Sequence, residues 1–82
     1  MPREEGVALL MEHRDGDIKL SMRSRGRINV NRVARSFGGG GHIYASGATL
    51  PGPLDAAAEQ VLTELKREVA ALNDRDTGTA TG

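Results

Sequence analysis

Four consecutive glycines, residues 38–41, stand between Phe37 and His42. Glycine lets the backbone adopt conformations closed to other residues, and it lets another molecule approach the main chain closely. Backbone N–H groups that no side chain covers can form a concave anion site. If a helix begins near Gly41, its first N–H groups face the same place, because they have no partners within the helix. The run therefore predicts a phosphate or carboxylate site, with His42 at its edge.

A flexible linker is the alternative interpretation of a glycine run. Linkers are usually rich in serine, proline or charge, whereas apolar Phe37 and Ile43 flank this run. We therefore favour an ordered anion site and expect both flanking side chains to be buried. The standard phosphate motifs do not fit. A Walker A loop needs Lys and then Ser or Thr where His42 and Ile43 stand, and the dinucleotide fingerprint needs a preceding strand, where this sequence predicts a helix.

Composition excludes several classes of protein. The 82 residues are enough for one small domain with a modest core. Eleven basic and eleven acidic residues cancel, so any attraction to nucleic acid must come from a local patch. The absence of cysteine excludes disulfides and thiolate metal sites, and it fits a cytoplasmic location. No membrane partner is expected, because no segment is long and apolar enough to span a bilayer.

Apolar patterning predicts a β-hairpin in the first third of the chain. Residues 7–13 open with a continuous apolar run, and residues 17–24 alternate apolar with polar side chains, which is the period of a strand. The Asp-Gly pair between them is a strong hairpin signal. One face of the second strand is then core, and the other carries Lys19, Ser21 and Arg23.

Helical patterns follow the hairpin. Asn29 is a good N-cap for a short helix that Gly38 ends. We expect a second short helix over residues 42–46 and a strand over residues 48–50. A long helix opens near Pro53 and ends at Asn73, with an apolar stripe on one side. The stripe consists of Leu54, Ala57, Ala58, Val61, Leu62, Leu65, Val69 and Leu72. Its solvated face consists of Gln60, Glu64, Lys66, Arg67 and Glu68.

These elements predict an α+β fold, a small mixed or antiparallel sheet with helices packed on one face. The predicted organisation is a frayed N-terminus over residues 1–6, one folded domain over residues 7–73, and a disordered tail over residues 74–82. The tail is rich in Thr and Gly and is not expected to bury anything.

Several segments resemble the DHH-associated C-terminal domain of DHH-family phosphoesterases. They are residues 21–24 (SMRS), 30–34 (VNRVA), 37–42 (FGGGGH) and 45–48 (ASGA). The resemblance covers residues 7–72 and is closest to the nanoRNase/pAp phosphatase branch. Enzymes of that branch trim short oligoribonucleotides and dephosphorylate 3′-phosphoadenosine 5′-phosphate. RecJ-type exonucleases and cyclic-dinucleotide phosphodiesterases carry related domains.

The resemblance implies that catalysis belongs to another domain. In the family, the metal-binding carboxylates and the Asp-His-His triad lie in an N-terminal domain that uses manganese. This sequence contains no Asp-His-His. We therefore expect no cofactor here, Mn²⁺ in the missing catalytic domain, and a chain that is the substrate-binding part of a longer protein. The expected partners are a short single-stranded oligonucleotide or nucleotide phosphate and the parent's DHH domain. A homodimer is left open.

The resemblance also implies which residues hold the substrate. In the family, the Gly–His loop and a Ser/Arg strand hold a terminal phosphate and the adjacent backbone. The residues at matching positions are Ser21, Arg23, Ser24, Gly39, Gly40, Gly41 and His42. Four further arginines are close in sequence and form either a solvated face or a steering surface for a nucleic-acid backbone. They are Arg25, Arg27, Arg32 and Arg35.

Two other functions stay open. One is a nucleic-acid-binding accessory domain of another protein, like the related domain at the end of alanyl-tRNA synthetases. The other is a structural dimerisation domain whose glycine run is only a turn. The sequence upstream of this chain in its parent protein would distinguish them, since a DHH triad there supports the phosphoesterase and an aminoacylation domain supports the accessory role.

Overall fold

The structure, a computed structural model, describes residues 5–81, with side chains described for residues 5–72. The strands form one antiparallel sheet in the order β1-β2-β4-β3. Because the chain combines this sheet with two helices, the predicted α+β fold is confirmed. The elements in chain order are β1 (Glu5–Glu12), β2 (Asp17–Arg25), α1 (Val30–Arg35), β3 (Gly40–His42), β4 (Ala45–Pro51) and α2 (Leu54–Thr81).

The predicted β1–β2 hairpin is confirmed, with strands slightly longer than expected. In the turn, the Asp15 carboxylate accepts a hydrogen bond from the backbone N–H of Asp17 at 3.0 Å. The register places Leu10 opposite Leu20. Because side chains alternate between the two faces of a strand, this register puts the even-numbered residues of both strands on the same side of the sheet.

That inner side of the sheet forms the core together with both helices. Ile18, Leu20 and Met22 of β2 are buried, and so is Leu50 of β4. The buried helix residues that complete this apolar cluster, apart from Ile28 just before α1, are Val30, Val33, Ala34, Ala57, Val61 and Leu72. Both helices therefore pack on one face of the sheet, and the opposite face is free of them.

The short helix α1 begins as predicted. Asn29 is its N-cap, and the Asn29 side-chain oxygen accepts a hydrogen bond from the Arg32 N–H at 3.1 Å. After the helix, Gly38 has a φ of 82°, a left-handed conformation that favours glycine. This turn directs the chain back toward the edge of the sheet.

The glycine run leads into a strand, so the helix predicted over residues 42–46 is wrong. Residues 40–42 form β3, Ile43 and Tyr44 make the turn, and β4 begins at Ala45. Gly41 is therefore not at a helix N-terminus. The expected burial of Ile43 is also wrong, since its side chain is 46% exposed, whereas Phe37 is half-buried against the core. Pairing with β4 decides the conformation here, and local sequence does not reveal such long-range pairing.

The long helix α2 opens directly after Pro53, as expected, but its predicted end at Asn73 is wrong, since the helix continues through Thr81. It therefore includes residues 74–81 of the predicted tail, while Gly82 and residues 1–4 lie outside the described residues. Within the described residues, neither helix combines the length and apolarity needed to span a membrane.

The position of Glu68 is a second correction to α2. We predict it on the solvated face, yet Glu68 is buried, with 4% of its surface exposed. Conversely, Leu62 and Val69 of the predicted apolar stripe are 52% and 38% exposed. The helix therefore buries a narrower apolar stripe than its period suggests, and that stripe includes one carboxylate.

Two leucine substitutions on neighbouring strands test this core. Leu20→Ala is expected to lower the free energy of unfolding by about 2–5 kcal/mol, because the Leu20 side chain is fully buried. Leu9→Ala is the matched control, since Leu9 lies on β1 with 58% exposure; its effect is expected to stay within about 0.5 kcal/mol. Urea denaturation measures both. Equal losses would contradict the assignment of inner and outer faces.

Candidate functional site

The sheet face turned away from the helices carries a row of polar side chains. Lys19, Ser21 and Arg23 are exposed on β2 because they alternate with its buried residues. Neither the Lys19 ammonium nor the Arg23 guanidinium makes a hydrogen bond or ion pair with any described residue. Two cations without internal partners and one hydroxyl therefore face solvent together. This is the arrangement expected from the alternation of β2.

On β4, small residues lie beside these polar residues of β2. The register places Ala45 beside Arg23, and Gly47 beside Ser21. Because Ala45 and Gly47 carry little or no side chain, an open depression of about 490 Å³ lies over the centre of the sheet. Its rim includes Thr49 of β4 as well as the polar residues of β2. The result is a floor of backbone with cations along one side.

The register of β3 places two of the predicted site residues beside these small residues of β4. His42 lies opposite Ala45, and Gly40 lies opposite Gly47. Neighbouring strands are about 4.8 Å apart, so Arg23 and His42, two strands apart, have Cα atoms about 10 Å from each other. That separation places the Arg23 and His42 positions on either side of the small residue between them.

Residues of the glycine run lie against the backbone of β4. A Cβ added to Gly39 would overlap the Gly47 carbonyl oxygen and come within 2.7 Å of the Ala48 Cα. A Cβ on Gly41 would lie 2.6 Å from the Ala45 carbonyl oxygen. Gly40 differs from both, since its Cβ would meet only the side-chain oxygen of Asn31, at an ordinary 3.7 Å.

Two backbone hydrogen bonds from α1 hold the β3–β4 hairpin at both ends. The Gly39 N–H donates to the Ala34 carbonyl at 2.9 Å, and the Val30 N–H donates to the Ile43 carbonyl at 3.1 Å. The Gly39 N–H, which we predict to face an anion, is thus engaged within the protein. The Gly39 N–H is therefore not available to the anion site that the glycine run predicts.

Ser24 is separated from the other predicted site residues. Ser24 is two residues from buried Met22 on β2, so its side chain lies on the same face of the sheet, and it is half-buried. Its hydroxyl lies 2.6 Å from the Ile28 carbonyl and 3.3 Å from the Ile43 carbonyl. The hydroxyl therefore ties β2 to the segments before and after α1. The structure brings Ser21 and Arg23 together on the outer face and places Ser24 on the helix side.

The buried carboxylate of Glu68 connects α2 to this site. It accepts a hydrogen bond from the Asn29 N–H at 3.4 Å and lies 3.6 Å from the Arg32 guanidinium. A buried carboxylate requires such partners, because moving its charge from water into the protein without a partner costs several kcal/mol. Nothing in the local pattern distinguishes Glu68 from exposed polar residues of the helix, so sequence reasoning missed this contact.

The sequence prediction also missed residues around the depression, among them Lys19, Gly47 and Thr49. Lys19 shares the alternation of Ser21 and Arg23, so the same pattern identifies it. Gly47 and Thr49 join the rim through the register of β4, and a register between distant strands has no local sequence signal.

The manganese that the family resemblance implies is expected in another domain of the parent protein, not among these residues. In the described part of the chain, no group of three or more His, Cys, Asp or Glu side chains could hold a metal ion. We therefore assign no chemical step of these residues to a metal.

Comparison with known proteins gives consistent matches. A family model described as the DHHA1 domain matches residues 3–79. The chain is similar to the bifunctional oligoribonuclease and PAP phosphatase NrnA of Thermus thermophilus, with 42% identity over 64 residues that cover 77% of this chain and 20% of that protein. The chain therefore spans about a fifth of the length of this relative.

Two solved structures share the fold. An exopolyphosphatase-related protein from Bacteroides fragilis aligns with a TM-score of 0.74 and 33% identity, covering 83% of this chain and 20% of that one. A pGpG-specific phosphodiesterase, PggH from Vibrio cholerae, aligns with a TM-score of 0.63 and 17% identity, covering 79% and 24%. The second likeness concerns the fold alone.

Substitutions within the glycine run test the close approach of β3 to β4. Gly39→Ala is expected to destabilise the fold by about 1–3 kcal/mol, because its methyl group would overlap the β4 backbone. Gly40→Ala is the control, since a methyl group fits there; its effect is expected to stay within about 0.5 kcal/mol. Urea denaturation, with amide NMR shifts of residues 39–48, measures both. A harmless Gly39→Ala would contradict the close contact between Gly39, just before β3, and the β4 backbone.

Proposed function

The chain belongs to the DHHA1 domain family, and on that premise we propose that it is the substrate-binding domain of a DHH-family phosphoesterase. The proposed substrates are short oligoribonucleotides or 3′-phosphoadenosine 5′-phosphate. One observation carries the proposal: cations without internal partners border a floor of backbone on the free face of the sheet. The similarity to a bifunctional oligoribonuclease and PAP phosphatase supports the choice of substrate class.

The chemistry of the rim suits a phosphate. The planar guanidinium of Arg23 matches two phosphate oxygens, while Lys19 supplies a more mobile point charge. The Ser21 hydroxyl can donate a further hydrogen bond. Because the floor has no bulky side chains, a sugar–phosphate backbone can lie close to the sheet. His42 of β3 lies across Ala45 from Arg23, so it is placed to contact the same ligand from the other side.

Hydrolysis itself is proposed to take place on another domain of the parent protein. The matched relative is about five times longer than the segment it shares with this chain, which leaves ample length for a catalytic domain. Manganese belongs to that domain in our proposal. The role of the present residues is then to bind the substrate's phosphate and orient its backbone.

Binding of a 5′-phosphorylated dinucleotide tests this role. Two or three charge-assisted hydrogen bonds, less the cost of association, are expected to give a Kd on the order of 0.1–1 mM. Arg23→Ala is expected to weaken binding about tenfold. Arg14→Ala, in the exposed turn at the far end of β2, is the matched control and is expected to change nothing. NMR titrations of the unsubstituted chain and of the two variants measure the three affinities.

Two results would contradict this assignment. One is that a dinucleotide lacking the terminal phosphate perturbs the same amides to the same extent. The other is that the amides of residues 21–23 and 40–42 do not shift at all on titration.

Catalytic activity provides a separate test. The 82-residue chain, incubated with Mn²⁺ and a short oligoribonucleotide, is expected to show no hydrolysis, because the described residues include no metal-ligand cluster. Chromatographic analysis of the products after prolonged incubation measures this. Hydrolysis that co-purifies with the chain and disappears in Arg23→Ala would refute a purely binding role.

A further inference from the structure

We propose that α1 carries a second phosphate-binding surface, reached from the outer face of the sheet across β3. A single-stranded oligonucleotide would then cross the glycine edge of the sheet and place a further phosphate against α1. This inference rests on the proposed function, because it adds a subsite for the same class of ligand.

The surface on α1 has the residue types that contact phosphates. An open cavity of about 310 Å³ is lined by Asn29, Asn31, Arg32 and Arg35. Side-chain amides and guanidinium groups are common partners of phosphate oxygens, and such contacts position a nucleic-acid backbone without reading its sequence. Since the whole chain has zero net charge, a local group of this kind must supply the attraction.

Gly40 connects this surface to the depression on the sheet. It lines the depression on the outer face. The Cβ that it lacks would also lie 3.7 Å from the side-chain oxygen of Asn31, at the second cavity. Gly40 therefore places no side chain of its own between the two surfaces, and the Asn31 side chain lies next to it where a ligand would cross.

The two arginines have different surroundings. The Arg32 guanidinium lies 3.6 Å from the buried Glu68 carboxylate, so that carboxylate already balances much of its charge. Arg35 is exposed, and its guanidinium has no hydrogen bond or ion pair with the described residues. Arg35 is therefore the principal phosphate-binding group of the second surface, and Asn31 is the neighbour nearest to the route across β3.

Ligand length separates the second surface from the first. The experiment measures affinities of the 82-residue chain for a 5′-phosphorylated dinucleotide and a 5′-phosphorylated pentanucleotide at several salt concentrations. Arg35→Gln is expected to weaken pentanucleotide binding about tenfold and to leave dinucleotide binding unchanged. It is also expected to reduce the slope of log affinity against log salt by about 0.7, the value for one phosphate contact on a single strand.

Two further variants make the outcomes distinguishable. Arg14→Gln is the matched control for a lost surface charge, and Arg23→Gln reports on the first surface. One outcome is that Arg23→Gln weakens binding of both ligands, while Arg35→Gln weakens pentanucleotide binding no more than Arg14→Gln does. In that case the second surface is wrong and the proposed function stands. If Arg23→Gln weakens neither ligand, the proposed function fails and the second surface fails with it. An equal loss of both ligands in Arg35→Gln would also overturn the separate subsite.

The fold of the variants is checked by their amide NMR spectra. Gln has a helix propensity close to that of Arg, and the Arg35 side chain is exposed, so α1 is expected to remain intact in Arg35→Gln.

Discussion

The close packing of the β3 backbone against β4 is the contact on which the geometry of this site depends. A side chain at Gly39 or Gly41 would occupy space already filled by β4 backbone atoms. Because β3 can lie flat against β4, His42 and Gly40 come into register with Ala45 and Gly47. The same approach brings Asn31 of α1 close to the edge of the sheet. A single steric requirement thus sets both the width of the depression and its distance from α1.

β3 and the turn that follows it have little burial of their own, and contacts with β4 and α1 hold them in place. Gly40, His42 and both turn residues are exposed. The hairpin is positioned by backbone hydrogen bonds to α1, which in turn is held at its N-terminus by the buried carboxylate of Glu68. Breaking one partner of a buried charge is far more costly than breaking an exposed pair. The orientation of the site is therefore coupled to α2, although no described side chain of α2 lines the depression.

Local patterns predicted the elements whose causes are local. Alternation along β2 and the Asp-Gly turn identify the hairpin, and Asn29 identifies the start of α1. The same alternation separates Ser24 from Ser21 and Arg23, a distinction lost when residues are assigned by family position alone. The glycine run was associated with the close approach of a ligand, whereas the structure shows the backbone of β4 lying against Gly39 and Gly41, a long-range contact that the sequence could not indicate. Glu68 escaped prediction for a similar reason, since its partners lie 36 and 39 residues away.

The floor of the depression limits how much information the site can take from a ligand. Gly40, Ala45 and Gly47 have no side-chain donor or acceptor, so they offer nothing that distinguishes one base edge from another. If a nucleotide binds here as proposed, any discrimination among bases falls to the rim, where the Arg23 guanidinium and the Ser21 and Thr49 hydroxyls carry hydrogen-bonding groups. The floor then sets only how closely the ligand approaches the sheet.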